Sequence, residues 1–250
     1  MFGENVLVAV VLVVASLLGS ALLVLALQWG TRRRAALKNL AAANGWHYEY
    51  QGANGGRGST VKLFDPKARW TVTIYSNTAN DHGGSTTRWT RFERQDLAID
   101  KGAAILGPSL PPQAIKFAAM VMENLVGRFL GKLLMGIDEA GADLSRLAHV
   151  DHVDPTSGTL FATPEAENAL DPILGHGALV AAREGKDEMK QPIVSRTAGG
   201  FRIRVRRALY DPAALAALVT LGEVLAAAIA DGADGPDEVD EADGAYDNDA

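Results

Sequence analysis

Between Val6 and Leu27 the sequence reads VLVAVVLVVASLLGSALLVLAL, 22 residues without a charged side chain. As an α-helix rising about 1.5 Å per residue it would reach roughly 33 Å, enough to cross the hydrocarbon core of a bilayer. Fifteen of the 22 are Val or Leu, and at about −0.4 kcal/mol apiece they favour insertion by roughly 6 kcal/mol. Ser16, Gly19 and Ser20 subtract little from that sum. The core helix of a soluble domain keeps a polar face over such a length. This stretch has none, and it predicts a transmembrane helix.

The flanks set the orientation. A cleaved signal peptide carries a basic segment ahead of its apolar run. Here the leader is MFGEN, with Glu4 and no Lys or Arg, whereas Arg32, Arg33, Arg34 and Lys38 follow the run. The positive-inside bias then predicts a single-pass protein of the plasma (inner) membrane, its N-terminus outside and everything from Thr31 onward cytoplasmic. Trp29 falls where an interfacial aromatic belongs. The pairs Ala15/Gly19 and Ser16/Ser20 have the spacing that lets two spans pack closely, so a scaffold oligomerising through the span is one alternative. Residues 1–30 read as the anchor and 31–45 as a basic juxtamembrane helix, stopped by Asn44-Gly45.

About 220 residues follow, enough for one large or two small domains with real cores. The chain has no cysteine, which excludes disulfides and thiolate chemistry. The net charge of −6 is unevenly spread: residues 231–250 hold nine acidic side chains and no basic one, and without them residues 1–230 carry +3. That tail has too little apolar content to offset its ordering entropy and reads as disordered.

Along the body, Trp46, Tyr48 and Tyr50 alternate with polar residues at strand period. Asn54-Gly55 marks a hairpin, with Val61 and Leu63 on the return strand before Asp65-Pro66. Arg69 to Ser76 alternates Trp70, Val72 and Ile74 against Thr71, Thr73 and Tyr75. After the loop NTANDHGG, Ser85 to Glu93 again suits a sheet. Leu97 and Ile99, then Ala104 to Leu106, read as further short strands of an antiparallel meander ending near Pro108. From Gln113 to Ile137 apolar residues recur at helical spacing. Lys116, Glu123, Arg128 and Lys132 within that stretch would cost on the order of 10 kcal/mol at mid-bilayer, so an amphipathic helix over the sheet is expected there, not a second span.

Asp138 to Arg146 is a polar link, after which the pattern restarts. Thr159 to Ala162 is a strand. Thr163-Pro164-Glu165 and Asp171-Pro172 look like helix starts, the latter before Ile173–Arg183. Pro192–Thr197 and Phe201–Arg207 form a hairpin around Ala198-Gly199-Gly200. Asp211-Pro212 opens a last helix, Ala213 to Ala230, with Leu215, Leu218, Val219, Leu225 and Ile229 available for burial. The expected class is α+β: an N-terminal transmembrane helix, then an antiparallel-sheet-plus-helix region. Two subdomains, 46–137 and 138–230, suggest a duplicated unit, and the acidic tail 231–250 completes the chain.

Few residues carry recognisable chemistry. His149, Asp151, His152 and Asp154 have metal-ligand side chains, and His149, Asp151 and His152 could serve a metal-dependent hydrolase if further groups converged on them. A local turn or strand edge accounts for them as well. His47, His82 and His176 complete no pattern. GANGGRG between two strands matches neither the dinucleotide fingerprint nor the P-loop, and no nucleophile elbow is present. No cofactor is called for.

Arginines are more informative. Arg202, Arg204 and Arg206 alternate with Phe201, Ile203 and Val205, which would set three guanidiniums on one strand face. Arg88, Arg91 and Arg94 add charge elsewhere. Together with Arg32, Arg33 and Arg34 they fit contact with anionic lipid headgroups or with the acidic tail. Nothing resembles an RNA-binding aromatic motif or a helix-turn-helix, so nucleic acid is not the expected partner. The bilayer is, with a protein partner or self-association as further options.

Gly45-Trp46-x-Tyr48, Thr87-Arg88-Trp89-Thr90, and Asp211-Pro212 ahead of Leu218-Val219-x-Leu221-Gly222 give the chain a resemblance. It resembles a broad set of uncharacterised bacterial proteins with an N-terminal anchor and a cytosolic α+β domain. The matching residues span most of 40–225. The resemblance implies that architecture and brings no activity with it. The expectation is a non-enzymatic interaction or lipid-surface module on the cytoplasmic face of the membrane.

Overall fold

The computed structural model describes residues 2–54, 58–77, 87–109, 113, 146–151, 157–186 and 190–233, with side chains from Leu12 onward except at 23, 26, 27 and 233. The first element is a single helix, α1 (Phe2–Asn44), which joins the apolar run to the juxtamembrane segment without a break. Gly45 ends it at φ 72°, a left-handed conformation that glycine adopts without a Cβ penalty. Its N–H donates to Ala42 O at 3.3 Å and that of Trp46 to Ala41 O at 2.8 Å, the paired bonds of a Schellman stop.

The strands are β1 (His47–Gln51), β2 (Ser59–Asp65), β3 (Trp70–Asn77), β4 (Thr87–Arg94), β5 (Ala103–Gly107), β6 (Ala148–His149), β7 (Thr159–Ala162), β8 (Ile193–Thr197) and β9 (Gly200–Val205). Among the described residues, two further helices are α2 (Gly177–Arg183) and α3 (Pro212–Ala233). The protein is α+β, with a nine-stranded antiparallel sheet in the order β1-β2-β3-β4-β9-β8-β5-β7-β6. The chain divides into two compact units: Met1–Glu93 with Arg204–Thr220, and Arg94–Ile203 with Leu221–Ala250.

In the first unit, β1 to β4 run as the expected meander. Tyr48 faces Leu63 and Tyr50 faces Val61 across β1 and β2, and Val61 and Leu63 face Ile74 and Val72 across β2 and β3. Val61, Leu63, Val72, Ile74, Trp70 and Phe92 are buried, as are Leu37 and Ala41 of α1. The strand alternation therefore defines the core face, and the end of α1 lies in that core. Asp65 Oδ1 accepts from Lys67 N at 2.8 Å and Ala68 N at 3.3 Å, closing the β2–β3 turn. Asp211 Oδ2 accepts from Ala214 N at 3.0 Å and caps α3, as Asp211-Pro212 predicts.

In the second unit, β5 is buried along its whole length and pairs with β7 and β8. The meander thus stops at β4, and β5 takes neighbours distant in sequence. Leu97 and Ile99 do not form a strand. Gln95–Leu97 is a 3₁₀ turn, stapled by Arg94 Nε donating to Asp96 Oδ1 at 2.8 Å. Thr163-Pro164 and Asp171-Pro172 start 3₁₀ turns, Pro164–Ala166 and Asp171–Ile173, where helices were expected. At the first, the Thr163 hydroxyl accepts from Ala103 N at 3.1 Å and is not free to cap a helix. α2 begins later, at Gly177, with His176 Nδ1 accepting from Ala178 N at 3.2 Å.

Among the described residues, one helix is long and apolar enough to cross a membrane by length and composition, Pro212–Gly232, with mean hydropathy 2.1. Within α1 the apolar stretch found on the same basis is the shorter Leu12–Leu22. Leu215, Leu218, Val219, Leu225 and Ile229 of α3 are all buried, which matches the five positions expected from the sequence. The amphipathic helix expected over 113–137 beyond Gln113, the 137/138 boundary, the link from 138 to 145, the loop 78–86 and the tail from 234 lie outside the described residues.

Candidate functional site

The arginines that follow the apolar run line a cleft in the first unit. At its near wall, Arg33 stacks its guanidinium over Trp29, 4.6 Å from the ring centroid, and lies 6.0 Å from that of Tyr210. One residue on, Arg34 stands 4.7 Å over Tyr50 and donates from Nε to Gly30 O at 3.2 Å. Stacking on an aromatic ring holds a guanidinium's plane while leaving its edge N–H groups available.

Strand parity builds the floor. The face carrying Val61 and Ile74 continues along β2 and β3 to Ser59 and Ser76, which are paired in register. Apolar burial therefore gives way to hydroxyls at that end. Arg88 shares the parity of Thr90 and Phe92 on β4, which are fully buried; at the strand's exposed start the same face presents a cation.

The far wall is the segment between β9 and α3, and Thr90 holds it. The Thr90 hydroxyl donates to Arg207 O at 2.8 Å and accepts from Leu209 N at 2.9 Å. With no side-chain freedom left, this buried threonine sets Arg207 and Tyr210 opposite α1. The cleft encloses about 560 Å³ and is lined by Arg33, Arg34, Arg88, Arg207, Tyr50, Tyr210, Ser59 and Ser76, together with Gly30, Val61 and Ala208. Not one acidic side chain lines it among the described residues. A neighbouring cavity of about 590 Å³ shares Arg33, Arg207 and Tyr210 and adds Arg32 and Asp211.

Beside the cleft, the Tyr48 hydroxyl is buried with no hydrogen-bond partner among the described residues. Burial raises its pKa above the usual phenol value, and the Arg34 charge partly opposes that rise. Tyr48 therefore stays protonated at neutral pH and keeps an O–H available.

Of the residues singled out from sequence, Arg33 and Arg34 line the cleft and Arg32 the neighbouring cavity. Arg88 of β4 also lines the cleft, whereas Arg202, Arg204 and Arg206 lie elsewhere. Alternation on β9 buries Phe201, Ile203 and Val205 as expected, yet Arg202, Arg204 and Arg206 are themselves half-buried. Arg202 Nη2 donates to Gly199 O at 3.3 Å. Arg204 lies 5.2 Å over Trp89, whose ring stacks with Tyr75 at 5.3 Å. Burial lowers the pKa of Arg206. These three carry packing as well as charge. Arg207, Tyr50, Tyr210, Ser59 and Ser76 were not singled out from sequence. Only Tyr50, next in parity after Tyr48, carried a local signal; the others are joined to the collar by pairings across the chain.

In the second unit, His149 Nδ1 and Asp151 Oδ1 are 2.7 Å apart, and the His149 ring meets Phe161 edge-on at 5.7 Å. The Asp151 side chain is 95% exposed. His152 and Asp154 lie outside the described residues, and no group of three potential metal ligands gathers among the described residues.

No protein-family model matches the chain, no curated protein matches it, and no solved structure matches it.

Proposed function

We propose that the chain is a single-pass membrane protein held by residues 6–27 of α1. Its N-terminus is outside, its α+β domain lies at the cytoplasmic surface, and the domain works as a non-enzymatic module contacting anionic headgroups. The observation that carries this is the change of exposure along one helix. Leu12, Leu17 and Leu22 are 64%, 65% and 66% exposed, while Leu37 on the same helix is 0% exposed. Leu12, Val13, Val14, Leu17, Leu18, Leu22, Val24 and Leu25 all stand outside the domain's core. At about 1 kcal/mol each for half-exposed aliphatic side chains, leaving them in water costs on the order of 10 kcal/mol, and lipid removes that cost.

α3 is itself long and apolar enough to cross a membrane, but its apolar side chains already have a place. Leu215, Leu225 and Ile229 are fully buried, and drawing the helix into a bilayer would strip the core of them. The collar after α1 supplies the orientation, because Arg32, Arg33 and Arg34 are retained on the cytoplasmic side. A metal-dependent hydrolase at His149, Asp151 and His152 has less behind it, given how exposed Asp151 is.

The test is a reporter fused after Ala250, read in cells together with alkaline carbonate extraction of membranes. An internal reporter and carbonate resistance are expected, and R32E/R33E/R34E should move a measurable fraction of reporters outside. Release by carbonate, or an external reporter on the wild-type chain, would overturn the proposal.

A further inference from the structure

We infer that the cleft between α1 and the β9–α3 segment is a seat for one phosphate-bearing headgroup of an anionic lipid. The inference rests on the anchoring by residues 6–27 proposed above, which fixes the cleft's depth. Gly30 and Arg34 follow Leu27 by three and seven residues, so at about 1.5 Å per residue they lie roughly 5–10 Å beyond the hydrocarbon edge, in the headgroup layer.

The lining suits one kind of ligand. Arg33, Arg34, Arg88 and Arg207 bring four guanidiniums to one cavity, and among the described residues none of them makes an ion pair. Like charges gathered in one cleft repel, and an anion relieves that repulsion. Guanidinium forks match phosphate oxygens two at a time, and no carboxylate among the described residues of the lining competes for them. Tyr50 and Tyr210 place rings against Arg34 and Arg33 and hold those forks in plane. Ser76 adds a hydroxyl that donates to an ester or glycerol oxygen of a headgroup, while Ser59 Oγ donates to Ser76 O at 3.4 Å and closes that end of the floor.

This differs from general attraction to an anionic leaflet, which needs only net charge and has no stoichiometry. A seat saturates, and it depends on which arginine is removed. A free phosphate would satisfy the same guanidiniums; the depth of the cleft selects the lipid-borne form, because the inner leaflet presents phosphate there at high local concentration.

The experiment uses the full-length chain in neutral detergent micelles, titrated calorimetrically with dioctanoyl phosphatidic acid, dioctanoyl phosphatidylcholine and glycerol 3-phosphate. Saturable binding of one phosphatidic acid per chain is expected, with none detectable for phosphatidylcholine and at least about tenfold weaker binding for glycerol 3-phosphate. Arg88→Gln and Arg207→Gln should each weaken phosphatidic acid binding by about tenfold or more. Arg88→Lys, which keeps charge and loses the fork, should fall between them and wild type. The surface control K62Q/K101Q, which removes twice the charge of either single glutamine variant, should bind like wild type.

Unchanged affinity in both glutamine variants, confirmed folded by circular dichroism, would overturn the seat. So would equal weakening in K62Q/K101Q, or binding that never saturates. Equal affinity for glycerol 3-phosphate would overturn the lipid assignment. The carbonate and reporter assays report on the anchor by themselves, so a failed seat in a correctly inserted chain is distinguishable from a failed anchor.

Discussion

Replacing Arg183 by methionine should destabilise the second unit, and the size of the effect can be worked from its surroundings. Arg183 closes α2 with only 8% of its surface exposed. Its guanidinium donates to the carbonyls of Ser157, Leu106 and Pro192, the last two at 3.3 and 3.4 Å. No carboxylate pairs with it among the described residues, so a cation is buried against backbone oxygens alone. Gly158 beside it sits at φ 114°, where a Cβ would collide with the guanidinium, so the backbone there is shaped around this side chain.

Methionine fills similar volume and strands three carbonyls, at about 2 kcal/mol each or roughly 6 kcal/mol together. Against that, it removes a buried charge whose pKa burial has lowered from the ordinary guanidinium value to about 10, a relief of about 3 kcal/mol at 1.36 kcal/mol per unit. The net loss is about 3 kcal/mol, or roughly 6–12 °C in Tm for a domain of this size. Thermal unfolding of the full chain in detergent, followed by circular dichroism, measures it.

The same shift fixes a pH dependence. Above about pH 10, and up to the ordinary guanidinium range, the unfolded chain holds the Arg183 proton more often than the folded one, so stability from this group rises with pH above 10 and is lost as pH falls through 10. The wild-type advantage over R183M should therefore widen by about 1 kcal/mol near pH ~10.5. A variant as stable as wild type at neutral pH, or an advantage that narrows above pH 10, would refute the reasoning.

Two further outcomes follow from other contacts. Thr90→Val is nearly isosteric but leaves Arg207 O and Leu209 N without their partner; a loss of about 2 kcal/mol is expected, and calorimetry should show weaker phosphatidic acid binding because Arg207 is no longer held. Metal analysis of the purified chain should find no stoichiometric metal, with His149→Ala leaving the content unchanged; a bound metal that disappears in His152→Ala would restore the hydrolase.

Local rules made much of the fold legible. Strand parity assigned Trp70, Val72 and Ile74 to the core, Gly45 ended α1, and Asp211-Pro212 opened α3. Each signal is held within a few residues, where period, capping and φ preference act. The same rules failed where a distant partner claimed the side chain. Thr163 reads as a helix cap, yet its hydroxyl serves Ala103 N, 60 residues away. Leu97 and Ile99 alternate like a strand, but the Arg94–Asp96 pair tightens the chain into a turn.

Sequence alone determined the uncharged run from Val6 to Leu27, the arginines behind it and the alternation that sorts each strand into two faces, because composition and period are properties of neighbouring residues. Only the tertiary structure decided that β5 lies with β7 and β8, that Arg202 and Arg204 are engaged on their strand's face, and that Thr90 sets Arg207 and Tyr210 opposite Arg33 and Arg34. Those choices depend on which hydrogen bonds remain unsatisfied once the chain has closed on itself, and no window of consecutive residues contains both partners.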